Sequence, residues 1–285
     1  MRYKSIENKL YINNRRKYLK HVEENSISIF VSNDPMPTNA DETLPFVQNT
    51  NLLYLTGIDQ EDTYLILAPN FPDESMREIL FIKETSEEIS IWEGNKLSKD
   101  EARKISGIQN VMWNDEFNKI IPLITAESNN AYLDKNEHIR SSTKVETAQD
   151  RFLKNFKSKN NSINIQRSYP ILSSLRMIKD KVEIDLISHA CKITEKGFRR
   201  VLKFIKPEVN EYDIEAKLIH EFIINKSKGF AYQPIIATVI NACSLHYNDN
   251  NTICKSGELV LMDVAAEYAN YKSDMTRTVP INGKF

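Results

Sequence analysis

Glycine is scarce in this 285-residue sequence, which contains only 7 glycines. None of them falls in the GxGxxG or GxxxxGK[ST] spacing that lets backbone amides approach a phosphate group, so we expect neither dinucleotide-binding nor P-loop chemistry. A charge excess is also missing, because 38 Lys and Arg against 39 Asp and Glu leave a formal net charge of −1. Without a global field to attract polyanions, nucleic acid is not an expected partner.

Cysteine and long apolar runs are scarce as well. The three cysteines form no CxxC pair, and their odd number is typical of a reduced, intracellular protein rather than a disulfide framework. Residues 1–24 carry charges throughout, and no stretch approaches the ~20 apolar residues of a membrane span. We therefore expect a cytoplasmic protein with no membrane partner.

The composition that remains is typical of a folded globular protein, with 41% hydrophobic and 27% charged residues. A prior of ~150 residues per domain gives two domains. Short apolar runs predict strands at Ser28–Ser32, Thr63–Ala68, Ile79–Ile82 and Asn130–Leu133. Polar helix-like stretches are predicted over 4–24, 98–106 and 143–157. These elements predict a mixed α/β domain over residues 1–173, and the basic cluster Arg15–Lys17 is interpreted as a solvated helix face.

The second predicted domain covers residues 174–285. Apolar residues spaced three or four apart follow Ser173–Ser174, a candidate N-cap, and continue to Ile205. This pattern predicts one long amphipathic helix that is stopped by Pro207.

A second helix is predicted to begin at Asn210, with Asp213 three positions on, and to end at Gly229 as a C′ residue. Residues 231–285 are predicted to form strands.

Two aspartates lie within the predicted strands of the segment 257–280. If the turn at Ala269–Asn270 has two residues, Ala265 faces Asp274, and Asp263 lies diagonally across from Asp274 on the same face. Diagonal neighbours are ~7–8 Å apart at the backbone, a gap that two side chains can close around a pair of cations. The spacing therefore indicates a metal site, with a solvated strand face as the alternative.

The other histidines, cysteines and tryptophan that could take part in a site are interpreted as structural residues. His189 and His220 fall within the two predicted helices and are expected to be ordinary helix residues. Cys243 and Cys254 lack a second close pair to complete a tetrahedral zinc site, so they are interpreted as reduced thiols. Trp92 is interpreted as a packing residue.

Several blocks of the sequence resemble one family, the Xaa-Pro aminopeptidases (aminopeptidase P) of the pita-bread metallopeptidase superfamily. The blocks similar to the first metal-binding half of that fold are Leu245–Tyr247, Gly257–Asp263 and Tyr271–Phe285. The blocks similar to its N-terminal domain and domain junction are Gln48–Gly57, Ile91–Gly94 and Leu175–Lys179. The resemblance thus implies an α/β N-terminal domain followed by the first half of a pita-bread catalytic domain.

The resemblance also implies roles for three residues. Asp263 resembles the first metal-ligating aspartate, and Asp274 resembles the second, which bridges two divalent ions that are expected to be Mn²⁺. His246 resembles the histidine that hydrogen-bonds the substrate or the tetrahedral intermediate. The residues alone are also compatible with a structural histidine at a strand end whose ring nitrogens are hydrogen-bonded. Ala265 departs from the family, in which many members have glycine at this point.

The remaining ligands of the superfamily, one histidine and two glutamates, come from a second half of the catalytic domain that has no counterpart here. No histidine follows His246. Two carboxylates are too few for two six-coordinate ions, and the glutamate that would act as general base is absent. We therefore expect this polypeptide alone to be inactive, either as a fragment of a longer enzyme or as a product with another use.

The activity that the resemblance implies for the parent enzyme is release of the first residue from peptides whose second residue is proline. Prolidase-type cleavage of Xaa-Pro dipeptides is the alternative reaction, and a non-catalytic peptide-binding module is the alternative class of protein. The expected partners are such a peptide and further copies of the chain. Self-association is expected because the apolar strands Leu259–Met262 and Pro234–Ala237 need cover on two faces, whereas the predicted helices cover one.

Overall fold

The computed structural model describes residues 3–141 and 143–284, so Phe285, the last residue of the predicted second domain, lies outside it. The described chain divides into two compact units. The first unit contains residues 5–178, and the second contains residues 179–284 together with residues 3–4. This division falls after Ile178, a few residues beyond the predicted boundary at 173.

The first unit is built on a mixed six-stranded sheet with the strand order β4-β3-β2-β1-β5-β6. The strands are β1 (Ser26–Val31), β2 (Tyr64–Leu67), β3 (Glu78–Ile82), β4 (Asn110–Trp113), β5 (Asn130–Leu133) and β6 (Asn164–Arg167). Strands β1, β2 and β3 pair antiparallel, whereas β4, β5 and β6 join by parallel pairing. The four predicted strands are confirmed. Strands β4 (sequence NVMW) and β6 (sequence NIQR) are only four residues long and mostly not fully buried, and neither contains an apolar run of four residues, which explains why their sequences do not predict them.

Helices cover both faces of this sheet. They are α1 (Lys9–Leu19), α2 (Thr50–Thr56), α3 (Glu87–Trp92), α4 (Lys99–Ser106), α5 (Phe117–Ala126), α6 (Ala148–Lys159) and α7 (Tyr169–Met177). Side chains of β1 alternate between two cores, so Phe30 packs with Tyr18 and Leu52 on one face, while Ile29 packs with Ile124 on the other. The mixed α/β class predicted for this region is confirmed.

Arg15 contradicts the interpretation of Arg15–Lys17 as a solvated helix face, because it is only 1% exposed. Its guanidinium donates to Glu78 Oε2 at 3.0 Å and to the carbonyl oxygens of Leu55 at 2.8 Å and Ser106 at 3.0 Å. The buried charge is tolerated because acceptors from β3, α2 and α4 surround it.

The second unit packs two helices, α8 (Lys181–Leu202) and α9 (Glu211–Ile224), against each other and against β-structure. Its three-stranded antiparallel sheet has the order β11-β8-β7, formed by β7 (Ile235–Thr238), β8 (Leu259–Asp263) and β11 (Thr276–Pro280). A short hairpin, β9 (Glu267–Tyr268) and β10 (Tyr271–Lys272), lies between β8 and β11 in the chain. In β8, Val260 and Met262 are fully buried, whereas Leu259 is 44% exposed. One face of this strand is therefore covered and the other is not.

The single long helix predicted after residue 173 is wrong. Helix α7 ends at Met177, Ile178 is extended, and α8 begins after Asp180. Asp180 and Glu183 form a capping box, with the Asp180 amide donating to Glu183 Oε2 at 2.7 Å. Ser173 and Ser174 lie inside α7 and are not an N-cap. The apolar period continues across residues 178–180, but the capping box at Asp180 starts a new helix there.

The predicted start of α9 is confirmed, since Asn210 is its N-cap and forms a capping box with Asp213. Its predicted end at Gly229 is wrong. The helix stops at Asn225, whose side-chain amide donates to the Glu221 carbonyl oxygen at 2.8 Å and so terminates the last turn.

Candidate metal centre and histidine loop

The two aspartates are positioned by a hairpin with a two-residue turn. Ala269 and Asn270 both have positive φ, 55° and 64°, as a type I′ turn requires. Tyr268 pairs with Tyr271, and the same register continues to Asp263, which lies opposite Thr276. The predicted register is confirmed.

Between the Tyr268–Tyr271 pair and the Asp263–Thr276 pair, regular strand pairing is interrupted at Ala265, which the register places opposite Asp274. The interruption is closed on either side by the Val264 amide, which donates to the Met275 carbonyl oxygen at 3.1 Å, and by the Ser273 amide, which donates to the Ala266 carbonyl oxygen at 3.2 Å. Ala265 is fully buried and small, and it lies in the gap beside both carboxylates.

The side chains of Asp263 and Asp274 meet at one hydroxyl group. Tyr232 Oη lies 2.6 Å from Asp263 Oδ1 and 3.2 Å from Asp274 Oδ1. Burial raises the pKa of Tyr232, and the hydrogen bond to Asp263 and the negative charge of both aspartates raise it further. The phenol therefore remains a proton donor between two acceptors.

Tyr232 reaches this position through backbone pairing just before β7. The Ala231 amide donates to the Ala265 carbonyl oxygen at 2.7 Å, and Phe230 bridges to Ala266. Tyr232 was not identified from the sequence because it lies outside any predicted motif. Its partners follow it by 31 and 42 positions in the chain.

Helix α8 supports the hairpin from its buried side. Thr194 is fully buried, and its Oγ1 accepts a hydrogen bond of 2.8 Å from the Ala266 amide. The same hydroxyl lies 2.8 Å from Ser273 Oγ, which donates to the Ala266 carbonyl oxygen at 3.0 Å. These bonds hold both sides of the interrupted pairing, one residue before Asp274 and three after Asp263.

The donor chemistry of this pair suits a hard divalent cation, for which carboxylate oxygens are preferred ligands. Asp263 is half-buried and Asp274 is exposed, so their free oxygens can be reached. Over residues 3–141 and 143–284, however, no cluster of three or more His, Cys, Asp or Glu side chains could hold an ion. Asp263 and Asp274 therefore fit part of a coordination shell, and their role as metal ligands stays a prediction.

His246 lies in a turn, which contradicts the alternative of a histidine at a strand end. The turn follows a short 3₁₀ helix, Val239–Cys243, and the imidazole is exposed. The next side chain, Tyr247, points inward and donates to Glu211 Oε2 at 2.7 Å. The structure thus brings the two aspartates together and presents His246 on a separate loop.

The remaining candidates lie in helices, in the core or at the surface. His189 and His220 lie in α8 and α9 as predicted, and the His189 ring is 4.0 Å from the Tyr268 ring. Cys254 is buried, and burial raises its pKa to about 11, with a further contribution from nearby carboxylates such as Glu211. Cys243 is exposed. Trp92 ends α3 with 76% of its surface exposed.

Each unit is similar to a known protein family. Residues 185–285 match the model of metallopeptidase family M24, and residues 11–132 match the model of the aminopeptidase P N-terminal domain. The second unit is thus similar to the M24 metallopeptidases. The chain as a whole has the domain order of an aminopeptidase P, with the N-terminal domain preceding the M24 segment.

Two bacterial relatives and one solved structure show the extent of the similarity. The chain is 30% identical to Xaa-Pro aminopeptidase of Haemophilus influenzae, with 95% of this chain and 60% of the relative aligned. It is 26% identical to Xaa-Pro aminopeptidase of Escherichia coli, over 95% and 62%. The structure of Pseudomonas aeruginosa aminopeptidase PepP superimposes with a TM-score of 0.86 at 26% identity, covering 99% of this chain and 63% of that one. The chain therefore spans about three fifths of the length of these proteins.

Among the described residues, no helix is both long enough and apolar enough to cross a membrane.

Proposed function

We propose that this chain provides part of the active site of a metal-dependent aminopeptidase that releases the N-terminal residue from peptides with proline in second position. The observation that carries the proposal is the convergence of Asp263 and Asp274 on Tyr232 within an M24 segment. The names of the relatives support the reaction, and a structure of Escherichia coli aminopeptidase P, 25% identical with a TM-score of 0.86, contains the inhibitor Pro-Leu.

Asp263 and Asp274 would hold two divalent cations, for which we propose Mn²⁺. Such ions, when bound, polarise the scissile carbonyl group and lower the pKa of water. Tyr232 would orient both carboxylates by sharing its hydroxyl proton between them, and buried Ala265 would keep the space beside them open.

His246 would bind the substrate rather than the metal. Its exposed imidazole can donate a hydrogen bond to the carbonyl oxygen that precedes the proline, where negative charge develops during hydrolysis. The scissile bond is a tertiary amide whose nitrogen carries no proton, so recognition must rely on the carbonyl group and the pyrrolidine ring.

Two carboxylates do not complete this site, and the 285-residue chain by itself is expected to be inactive. The remaining ligands and the general base would come from a further polypeptide segment. The three cysteines are unpaired, which supports action in a reducing compartment such as the cytoplasm.

The test uses the longest polypeptide that the reading frame encodes. Asp274→Asn should abolish peptidase activity and weaken metal uptake, because an amide replaces a charged ligand. His246→Ala should keep the metal content and lower kcat. Asp185→Asn, the same change at an exposed aspartate of α8, is the matched control. Full activity in the Asp274 variant, or metal loss in the His246 variant, would overturn these roles.

The choice of substrate separates this activity from the alternative reaction. Cleavage of an Xaa-Pro-Xaa tripeptide identifies an aminopeptidase, whereas cleavage confined to Xaa-Pro dipeptides identifies a prolidase-type enzyme.

A second candidate is a metal-free peptide-binding module. It is favoured by one observation, the lack of a cluster of three possible metal ligands among the described residues. Tight binding of a proline-containing peptide by the 285-residue chain in the presence of a chelator would support it.

A further inference from the structure

Glu211, the first residue of α9, is a fully buried carboxylate that accepts four hydrogen bonds. Its Oε1 accepts from the amide of Thr238 at 2.7 Å and from Thr238 Oγ1 at 2.8 Å. Its Oε2 accepts from Tyr247 Oη at 2.7 Å and from the amide of Thr252 at 3.0 Å.

These donors flank and include the segment that carries His246. We define residues 239–251 as the histidine loop, which leaves β7 after Thr238 and ends before Thr252. Glu211 therefore binds the residue before the loop, the residue after it, and Tyr247, the side chain next to His246.

Glu215 strengthens the same attachment one helical turn later. Its Oε2 accepts a hydrogen bond of 2.8 Å from the side-chain amide of Asn250, which also donates to the Pro234 carbonyl oxygen at 3.1 Å. The Asn250 side-chain oxygen accepts from the Ile236 amide at 3.0 Å. One face of α9 thus fastens the end of the loop to the beginning of β7.

Apart from these contacts, the loop is held by a hydrogen bond of 2.9 Å from the Asn241 side-chain amide to Thr252 Oγ1, and two of its apolar side chains point outward. Ile240 is 75% exposed and Leu245 is 88% exposed. Without apolar burial, the position of the loop depends on these polar contacts.

The site requires a carboxylate because all four contacts are made by donors, and an ionised carboxyl group only accepts. A glutamine side chain at this position would point its NH₂ group either at the two donors of Thr238 or at the donors of Tyr247 and Thr252. Tyr247 could rotate its hydroxyl to accept such a bond, but the backbone amides of Thr238 and Thr252 could not.

We propose that Glu211 is a positioning residue for the peptidase reaction, holding the histidine loop so that His246 is presented to the substrate. The proposal rests on the function proposed above for His246. Glu211 contacts neither the aspartate pair nor the substrate, and it acts through Tyr247 and the two ends of the loop.

Hydrogen exchange on the 285-residue chain tests the attachment without any need for catalysis. In Glu211→Gln, amides of residues 238–252 should exchange at least tenfold faster, while those of α8 keep their protection. Glu221→Gln, the same change elsewhere on α9, is the matched control and should leave the loop unchanged. Unchanged protection in Glu211→Gln, or an equal loss throughout α9 and β7, would overturn the proposal.

Tyr247→Phe keeps the proposal testable if the Glu211 variant does not fold, since it removes one hydroxyl from a half-buried ring. Faster exchange should be confined to residues 244–251, because the Asn251 amide also donates to the Tyr247 hydroxyl, at 3.3 Å. Nuclear magnetic resonance should show the imidazole signals of His246 moving toward those of an unstructured histidine, whereas the signals of His189 and His220 stay in place. An unchanged His246 signal in Tyr247→Phe would contradict the attachment.

Enzyme kinetics test whether the position of the histidine loop affects catalysis. In a polypeptide that cleaves Xaa-Pro peptides, Tyr247→Phe should lower kcat about tenfold or more at an unchanged KM. An unchanged kcat despite a loosened loop would overturn the positioning role. Absence of peptidase activity in the unmodified protein would instead reject the proposed function and leave the exchange results intact.

Discussion

The hydroxyl of Tyr232 donates a 2.6 Å hydrogen bond to Asp263 Oδ1, linking a residue that precedes β7 to the last residue of β8. The same oxygen lies 3.2 Å from Asp274 Oδ1. One phenol thus brings two carboxylates together that would otherwise repel each other, and it does so with residues of the second unit alone.

Tyr232→Phe should therefore reduce the free energy of unfolding by about 1.5 kcal/mol, the lower end of the range for a hydrogen bond to a charged group, because the ring is only half-buried. The loss is measured by urea denaturation. Tyr212→Phe, which removes the hydroxyl of an exposed tyrosine on α9, is the control and should change little. Equal stability of the two variants would contradict a role for this hydroxyl in joining the carboxylates.

Arg15→Met should destabilise the first unit by about 3 kcal/mol, because it leaves Glu78 and two buried carbonyl oxygens without their donor. Arg16→Met removes the same charge from the adjacent exposed position and should change stability by less than about 0.5 kcal/mol. Thermal denaturation followed by circular dichroism compares the two. Similar melting temperatures would show that the buried guanidinium contributes no net stability.

The cysteines should differ in their reaction with iodoacetamide. With a pKa of about 11, Cys254 is a thiolate in roughly one molecule in a thousand at pH 8. The thiolate fraction increases about tenfold for each unit by which the pH is raised, until the pH approaches 11. Cys243 is exposed and should be alkylated first. Peptide mass spectrometry between pH 7 and pH 10 follows both sites, and equal labelling at pH 8 would contradict the shifted pKa.

The 285-residue chain should bind no stoichiometric pair of Mn²⁺ ions and should self-associate through the uncovered face of β8. Leu259→Lys places a charge on that face and should lower the apparent mass by light scattering. Leu202→Lys, at an exposed position on α8, is the control. A monomer of 33.0 kDa that binds two ions tightly would contradict this prediction and would show that the chain completes its own site.

The sequence by itself determined the register of the aspartate hairpin. A two-residue turn and the alternation of side chains are local properties, so the positions of Asp263 and Asp274 follow from counting outward from Ala269–Asn270. The start of α9 at Asn210 was predictable for the same reason, since a capping box involves residues three positions apart. The break before α8 carried an equally local signal at Asp180 and Glu183, but the continuous apolar period outweighed it.

Only the tertiary structure decided which polar groups meet across the chain. Arg15 and Glu78 are 63 positions apart, Tyr232 and Asp263 are 31 apart, and Glu211 lies between 27 and 41 positions from its hydrogen-bond partners. No short-range spacing specifies such pairs. Each buried charge or hydroxyl becomes favourable only after the folded backbone has placed its partners within hydrogen-bonding distance, so its contacts depend on packing rather than on local sequence.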